Sequence, residues 1–332
     1  LKIKELLRRA SLRHGSTRLG RVWLPLVASC LVATSCTVAQ VGYDHLPRLA
    51  LWRLDSYVAL DAQQRAIAGR RLEELHAWHR GTQLDDYARL LREVQARALA
   101  PGVTDADVRT WRLAFAERWR PIAEQAAPGV AEIAGTLQPA QVERLRGELA
   151  RDNRKLQREW LPADGDSRLK ARTRRYVERA EFFLGDLTDA QVQTIRRMAA
   201  ELPASEEQWY ARRLDRQDEL VTTVERIRAE RPPPADATRW MRDHLTGYLQ
   251  PARAAAATAP AGREAGRAAT PAEAERVLNQ SDAIAAAVLA GATPKQRQHL
   301  QRRLQEWIDL AEALAPRPTA RGPAARAAAD LR

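Results

Sequence analysis

Two cysteines, Cys30 and Cys36, are the only thiols in the chain, and each ends a run of small residues. Val27-Ala28-Ser29-Cys30 fits the layout of a lipobox, an aliphatic residue and two small ones before a cysteine, slightly better than Ala33-Thr34-Ser35-Cys36, where Ala33 takes the place of the usual leucine. The chemistry such a spacing serves is lipid transfer to the thiol, with cleavage of the peptide bond before it. What precedes them suits that reading. Lys2, Lys4, Arg8, Arg9, Arg13, Arg18 and Arg21 stand against Glu5 alone, and Val22 to Ser35 is apolar and uncharged. A charged segment, a short apolar core and a small-residue end describe a secretory signal. The core is too short for a membrane-spanning helix, which needs about 20 residues, and Pro25 would break one. Cutting before Cys30 leaves only Val22 to Ser29 as the core, near the lower limit of about 7 residues, and strands Leu31-Val32-Ala33 in the mature chain. Cys36 is therefore the favoured lipidation site and Cys30 the alternative; a plain signal peptide or signal anchor with incidental cysteines is the third reading. With Cys36 acylated no thiol remains, so the exported domain must hold together by its core alone. The chain opens on leucine and its basic stretch is long, which points to a start assigned early or truncated.

The remaining reactive side chains make no catalytic set. Glu73-x-x-His76 has the spacing used by carboxylate di-iron bundles, but that site needs a second such pair and two further glutamates, and no second pair exists. His76 and His79 sit one helical turn apart; without a third ligand, a pair packed beside Trp78 accounts for them better than a metal does. No two glycines are separated by a single residue, and P-loop, HExxH, CxxC and GxSxG motifs are all missing. The expectation is a protein that is not an enzyme and takes no cofactor and no metal.

One surface feature could bind. Arg151, Arg154, Lys155 and Arg158 share one helix face, and Arg168, Arg172, Arg175 and Arg179 share a face of the next. The short Pro162–Asp166 connection makes the two helices antiparallel neighbours. Interleaved Asp152, Glu159, Glu178 and Glu181 favour a solvated, salt-bridged surface. The alternative is a groove for anionic groups such as lipid phosphates or glycans.

The formal net charge is +12, but the segment before Cys36 carries about half of it. The remaining charges are interspersed rather than gathered in a patch or arm, so nucleic acid is not an expected partner. About 300 residues follow Cys36, enough for one large domain or two small ones.

The elements that must hold these residues are helices. Leu60-Asp61-Ala62-Gln63-Gln64, Leu137-Gln138-Pro139-Ala140-Gln141, Leu187-Thr188-Asp189-Ala190-Gln191 and Ala292-Thr293-Pro294-Lys295-Gln296 share one layout, with variants at Thr104-Asp105-Ala106-Asp107 and Thr270-Pro271-Ala272-Glu273. The first residue of each cap accepts from an otherwise unpaired amide, proline suits the first turn, and the residue three on reaches back. Their uneven spacing excludes a regular solenoid. Between them apolar residues recur with helical period, as in Leu84, Tyr87, Leu90, Leu91 and Val94, and no run alternates as a strand does. Tryptophans 52, 78, 111, 119, 160 and 209 fall on these stripes and are expected to be mostly buried. The fold class is all-α, a multi-helix bundle or irregular helical array following a lipoprotein signal peptide. Its expected parts are the signal at 1–35, a helical domain at 36–250, a flexible Ala/Gly-rich linker at 251–269, a C-terminal helical pair at 270–315 and a disordered tail at 316–332.

Tyr43-Asp44, Leu51-Trp52-Arg53-Leu54-Asp55-Ser56-Tyr57, Gln64-Arg65 and Trp78-His79-Arg80, after Cys36, resemble the opening of an uncharacterised family of helical proteobacterial lipoproteins. The resemblance runs from Cys36 to about Gln250 and implies no assigned activity; the family's usual Tyr-Asn is Tyr43-Asp44 here. Leu187-Thr188-x-x-Gln191 is also similar to the helix starts of Spy-type periplasmic chaperones, although capping alone accounts for every residue in it. Thr37 rather than aspartate follows Cys36, which by resemblance to Gram-negative lipoproteins implies sorting to the outer membrane. The expected protein is an outer-membrane-anchored, periplasm-facing lipoprotein that acts as a binding or chaperone-like envelope module. Its partners would be the membrane, through the N-terminal lipid, and an envelope protein or an anionic lipid or glycan. The alternative is a structural scaffold of an envelope complex with no ligand of its own.

Overall fold

Helix starts written into the sequence are helix starts in the structure, a computed structural model that describes residues 39–162, 164–202, 206–247 and 271–316. The chain up to Asp44 is a separate unit, of which 39–44 are helical. From His45 onward the described residues form twelve α-helices and no strand. The all-α expectation holds.

The helices come in consecutive pairs that alternate between two apolar cores. The first core takes α1 (Leu46–Val58) and α2 (Ala62–Thr82), then α5 (Trp119–Thr136) and α6 (Pro139–Trp160), then α9 (Glu206–Glu230) and α10 (Pro234–Gly247). The second takes α3 (Leu84–Leu99) and α4 (Asp105–Glu117), α7 (Gly165–Leu184) and α8 (Asp189–Glu201), and α11 (Pro271–Ala290) and α12 (Pro294–Leu314). In the first core α5 is central, lying against α2, α9 and α10. Its buried face is Ala123, Ala127, Ala131 and Ala134, a stripe of small side chains at helical spacing that lets neighbouring axes come close. At Gly129 a β-carbon would stand 2.9 Å from Arg71 Cβ, so α2 and α5 cross at a distance only glycine permits. In the second core α12 lies along α3 and α7, and Leu300, Leu304 and Ile308 point inward from it.

The capping glutamines do more than end helices. Gln64 and Gln141, on the first turns of α2 and α6, exchange amide hydrogen bonds, Gln64 Nε2 donating to Gln141 Oε1 at 3.0 Å and Gln141 Nε2 to Gln64 Oε1 at 2.7 Å. Each amide also donates to the carbonyl five residues before its partner, Thr136 O and Ala59 O, both at 2.9 Å. Each oxygen also accepts from its own cap amide, Asp61 N–H and Gln138 N–H. The second core repeats the arrangement with Gln191 and Gln296 on α8 and α12. Their amides pair at 3.0 and 2.8 Å and reach Gly291 O and Asp186 O, and the cap amides are Thr188 N–H and Thr293 N–H. All donors and acceptors of these largely buried amides are thus used, the condition under which a polar group inside a core is not a liability.

Several expectations change. None of the six tryptophans is fully buried; Trp52 is 68 % exposed and Trp119 42 % exposed. Tight packing of alanine, leucine, isoleucine and valine leaves little room for indoles inside, so they lie at the rims of the cores. Leu46, Leu49 and Trp52 together form an exposed stripe on α1. The C-terminal helices are not set apart, because Ile284, Val288, Leu300 and Leu304 belong to the second core. The 251–269 linker, Thr270, and the tail from 317 lie outside the described residues, as do Cys30 and Cys36. No helix among the described residues is long and apolar enough to cross a membrane.

Candidate functional site

Where the two cores meet, the end of α6, the middle of α7, the first turns of α9 and the start of α11 surround a cavity of about 370 Å³. Among the described residues its charged lining is Arg172, Arg175, Arg179, Arg212 and Arg216, against the carboxylate of Glu206. Spacing explains the convergence. Positions 172, 175 and 179 share one face of α7, and 209, 212 and 216 share one face of α9.

The inner end of the cluster is rigid. Arg172 grips Glu206 through two bonds of 2.6 Å and donates to Ala199 O and Leu202 O at 2.9 Å, stitching α7 to the α8–α9 connection. Arg175 shares the same carboxylate at 3.1 Å and lies over the Trp160 ring, 4.4 Å from its centroid. Trp160 in turn stacks on Trp209 at 4.7 Å with 18° between the planes, joining α6 to α9. Burial alone would raise the Glu206 carboxyl, but the Arg172 bonds outweigh it and hold it below its usual value. One carboxylate between two guanidiniums leaves the cavity with excess positive charge.

Part of that excess is desolvated, although Arg179 is exposed. Burial lowers Arg212 below the usual guanidinium value, with repulsion from Arg216 adding to it, and burial also lowers Arg175. Arg175 Nη1 and Arg212 Nη1 are buried without a hydrogen-bond partner among the described residues. Buried donors are nearly always satisfied, and unpaired charged ones are costly. Side chains poised this way fit an anion with several acceptor oxygens, such as a phosphate or carboxylate.

Of the eight basic residues singled out in the sequence, the structure brings three into this cavity, Arg172, Arg175 and Arg179. Arg168 does not line it and donates instead to Pro162 O and to Glu207, each at 2.7 Å. On α6, Arg151 pairs with Glu148 on its own helix, and Arg154, Lys155 and Arg158 are exposed. The two stripes therefore do not line one groove. On α7, Arg172 and Arg175 turn inward and Arg179 lies at the exposed edge, while the α6 stripe faces solvent. Sequence reasoning missed Arg212, Arg216 and Glu206, although Arg212 and Arg216 follow Trp209, already placed on an apolar stripe, at helical spacing. His79, at the other candidate position, has its ring centroid 5.6 Å from that of Tyr87, and burial, then His76, lowers its pKa.

No curated protein and no solved structure matches the chain. The profile of one family, described as a family of unknown function, DUF6279, matches residues 56–237, more than half of the sequence. That stretch holds α7, α8 and α9, and with them every arginine of the cavity. The chain belongs to the DUF6279 family of unknown function.

Proposed function

We propose that this protein is a lipid-anchored envelope binding module whose helical domain captures an anionic ligand in the arginine cavity. The observation that carries the reading is the cluster itself, five arginines around one carboxylate, with guanidinium donors of Arg175 and Arg212 buried and unused among the described residues. The stacked Trp160 and Trp209 rings and the Arg172–Glu206 clamp hold the donors in place, so little ordering is needed on binding.

The envelope setting rests on the segment before residue 37. The basic stretch, the apolar run and Ala33-Thr34-Ser35-Cys36 support export and acylation at Cys36, and Thr37 supports the outer membrane as destination. An anchored module of this kind faces the periplasm, where anionic lipids and glycans are at hand. A chaperone-like role draws some support from the Leu187-Thr188-x-x-Gln191 helix start and from the exposed Leu46, Leu49 and Trp52.

Calorimetric titration of the purified protein with inorganic phosphate and pyrophosphate tests the binding reading. Binding should weaken as salt is raised, and Arg175→Gln with Arg212→Gln should abolish it while the helical spectrum is kept. Unchanged binding in that variant would remove the cavity from consideration.

A further inference from the structure

A second cavity adjoins the first and has the opposite character. It occupies about 250 Å³ inside the second core, between α3, α4, α7, α11 and α12. Leu91, Val94, Trp111, Phe183, Ile284 and Trp307 are typical of its walls, and apart from Tyr176, Arg179 and Ser281 its lining is wholly apolar. Tyr176 and Arg179 line both cavities, so the two meet at one turn of α7. There the Tyr176 hydroxyl and Ser281 Oγ are 2.7 Å apart, and Ser281 donates to Val277 O on its own helix.

The apolar space opens partly to solvent, so a ligand can reach it, and it is roomy enough for one: an enclosed apolar cavity of about 150 Å³ already takes up benzene. An empty volume of this size forfeits the dispersion contacts its lining could make. Its polar boundary lies on one side only, and that side is the arginine cluster.

We propose that the two cavities form one site for a single-chain anionic amphiphile, its alkyl or acyl chain in the apolar cavity and its phosphate or carboxylate head among Arg175, Arg179 and Arg212. This rests on the anion-binding reading and adds the chain. The order of the groups follows from the shared residues. A chain entering past Tyr176 leaves its head beside Arg179, and the unpaired donors of Arg175 and Arg212 lie in the same cavity wall.

The test is calorimetry on the full chain with methyl, butyl and octyl phosphate, octanoate and octanol, each below its micelle concentration. Burial of each added methylene should tighten binding about fourfold until the cavity is full. Ala285→Leu, which fills the apolar cavity, should weaken octyl phosphate at least tenfold and leave methyl phosphate unchanged. Arg212→Gln should weaken both. Ala180→Leu replaces Ala285→Leu if the latter lacks a native melting transition. Octanoate binding as tightly as octyl phosphate supports a fatty-acid ligand, and a preference for the phosphate supports a lysophospholipid-like one. Methyl and octyl phosphate binding equally would overturn the chain site and leave the anion site standing. Octanol binding as tightly as octyl phosphate would overturn the pairing of head and arginines. If none of the phosphates binds, both readings fall.

Discussion

The glutamine pairs make a quantitative prediction. Gln296→Leu removes the bonds from Gln296 Nε2 to Asp186 O and to Gln191 Oε1, both 2.8 Å, and the bonds that Gln296 Oε1 accepts from Gln191 Nε2 and Thr293 N–H. At about 0.5–1.5 kcal/mol net for each bond, and with the Gln191 amide left partly unpaired in a core, the loss should be roughly 3–5 kcal/mol. Gln191→Leu should cost a similar amount. The two amide–amide bonds are lost in either single variant and are counted twice when the singles are added. The double variant should therefore be less destabilised than the sum by about 1–3 kcal/mol. The same cycle on Gln64 and Gln141 should give a coupling of the same sign, whereas Gln64 with Gln296, which lie in different cores, should add to within about 0.5 kcal/mol. Urea denaturation with an unchanged slope is the assay. A coupling near zero within a pair, or one as large across cores as within them, would refute the view that each pair acts as a unit.

Asp282 is 4 % exposed and bonds Arg112 at 2.9–3.1 Å, so Asp282→Ala should cost roughly 2–4 kcal/mol, and the added Arg112→Met should recover part of it in the same assay. Burial, then Arg216, lowers His244 to about 4, so the fold keeps it neutral while the unfolded chain takes a proton near pH 6.5. Its contribution is complete above pH 6.5 and is lost as pH falls toward 4. Over that window wild type should lose about 2–3 kcal/mol more than His244→Asn in paired denaturation curves. Cys36→Ala should abolish labelling by radioactive palmitate and Cys30→Ala should not; labelling that survives Cys36→Ala would sink the site assignment. Deleting residues 271–332 should expose α3 and α8 to limited proteolysis, because it strips Ile284, Val288, Leu300, Leu304 and Ile308 from the second core. Unchanged protease resistance of those helices in the truncation would contradict their packing on the C-terminal pair.

The parts of the fold legible in the sequence are those set by neighbours three or four residues apart. Thr104, Thr188 and Thr293 could be named as helix caps because the groups they satisfy lie within one turn of them. What the same glutamines do next was hidden, since Gln64 meets a partner 77 residues away and Gln191 one 105 residues away. Nothing local distinguishes a capping glutamine that ends in solvent from one that clasps another. The tryptophans fail for a related reason. A stripe says which side of a helix is apolar, but Trp52 is left exposed because no helix among the described residues covers it. The cavity was half visible. Arg172, Arg175 and Arg179 stood out as a face, but the sequence could not show that Glu206, Trp209 and Arg212 would close over them rather than Arg154 and Arg158.

The alternation of helix pairs between two cores has a consequence for the order in which the chain can mature. A growing chain acquires the last piece of the first core only with α10, and of the second only with α12, close to its C-terminus. Each core is assembled from interleaved segments, so no contiguous stretch ending before α10 can fold as a finished domain. Until α12 emerges, the inner face of α3, with Leu90 and Val94, lacks its main partner. A nascent chain in that condition needs either a holding partner or a late, rapid closure, and stalled translation products ending before residue 294 should be preferred substrates for proteolysis.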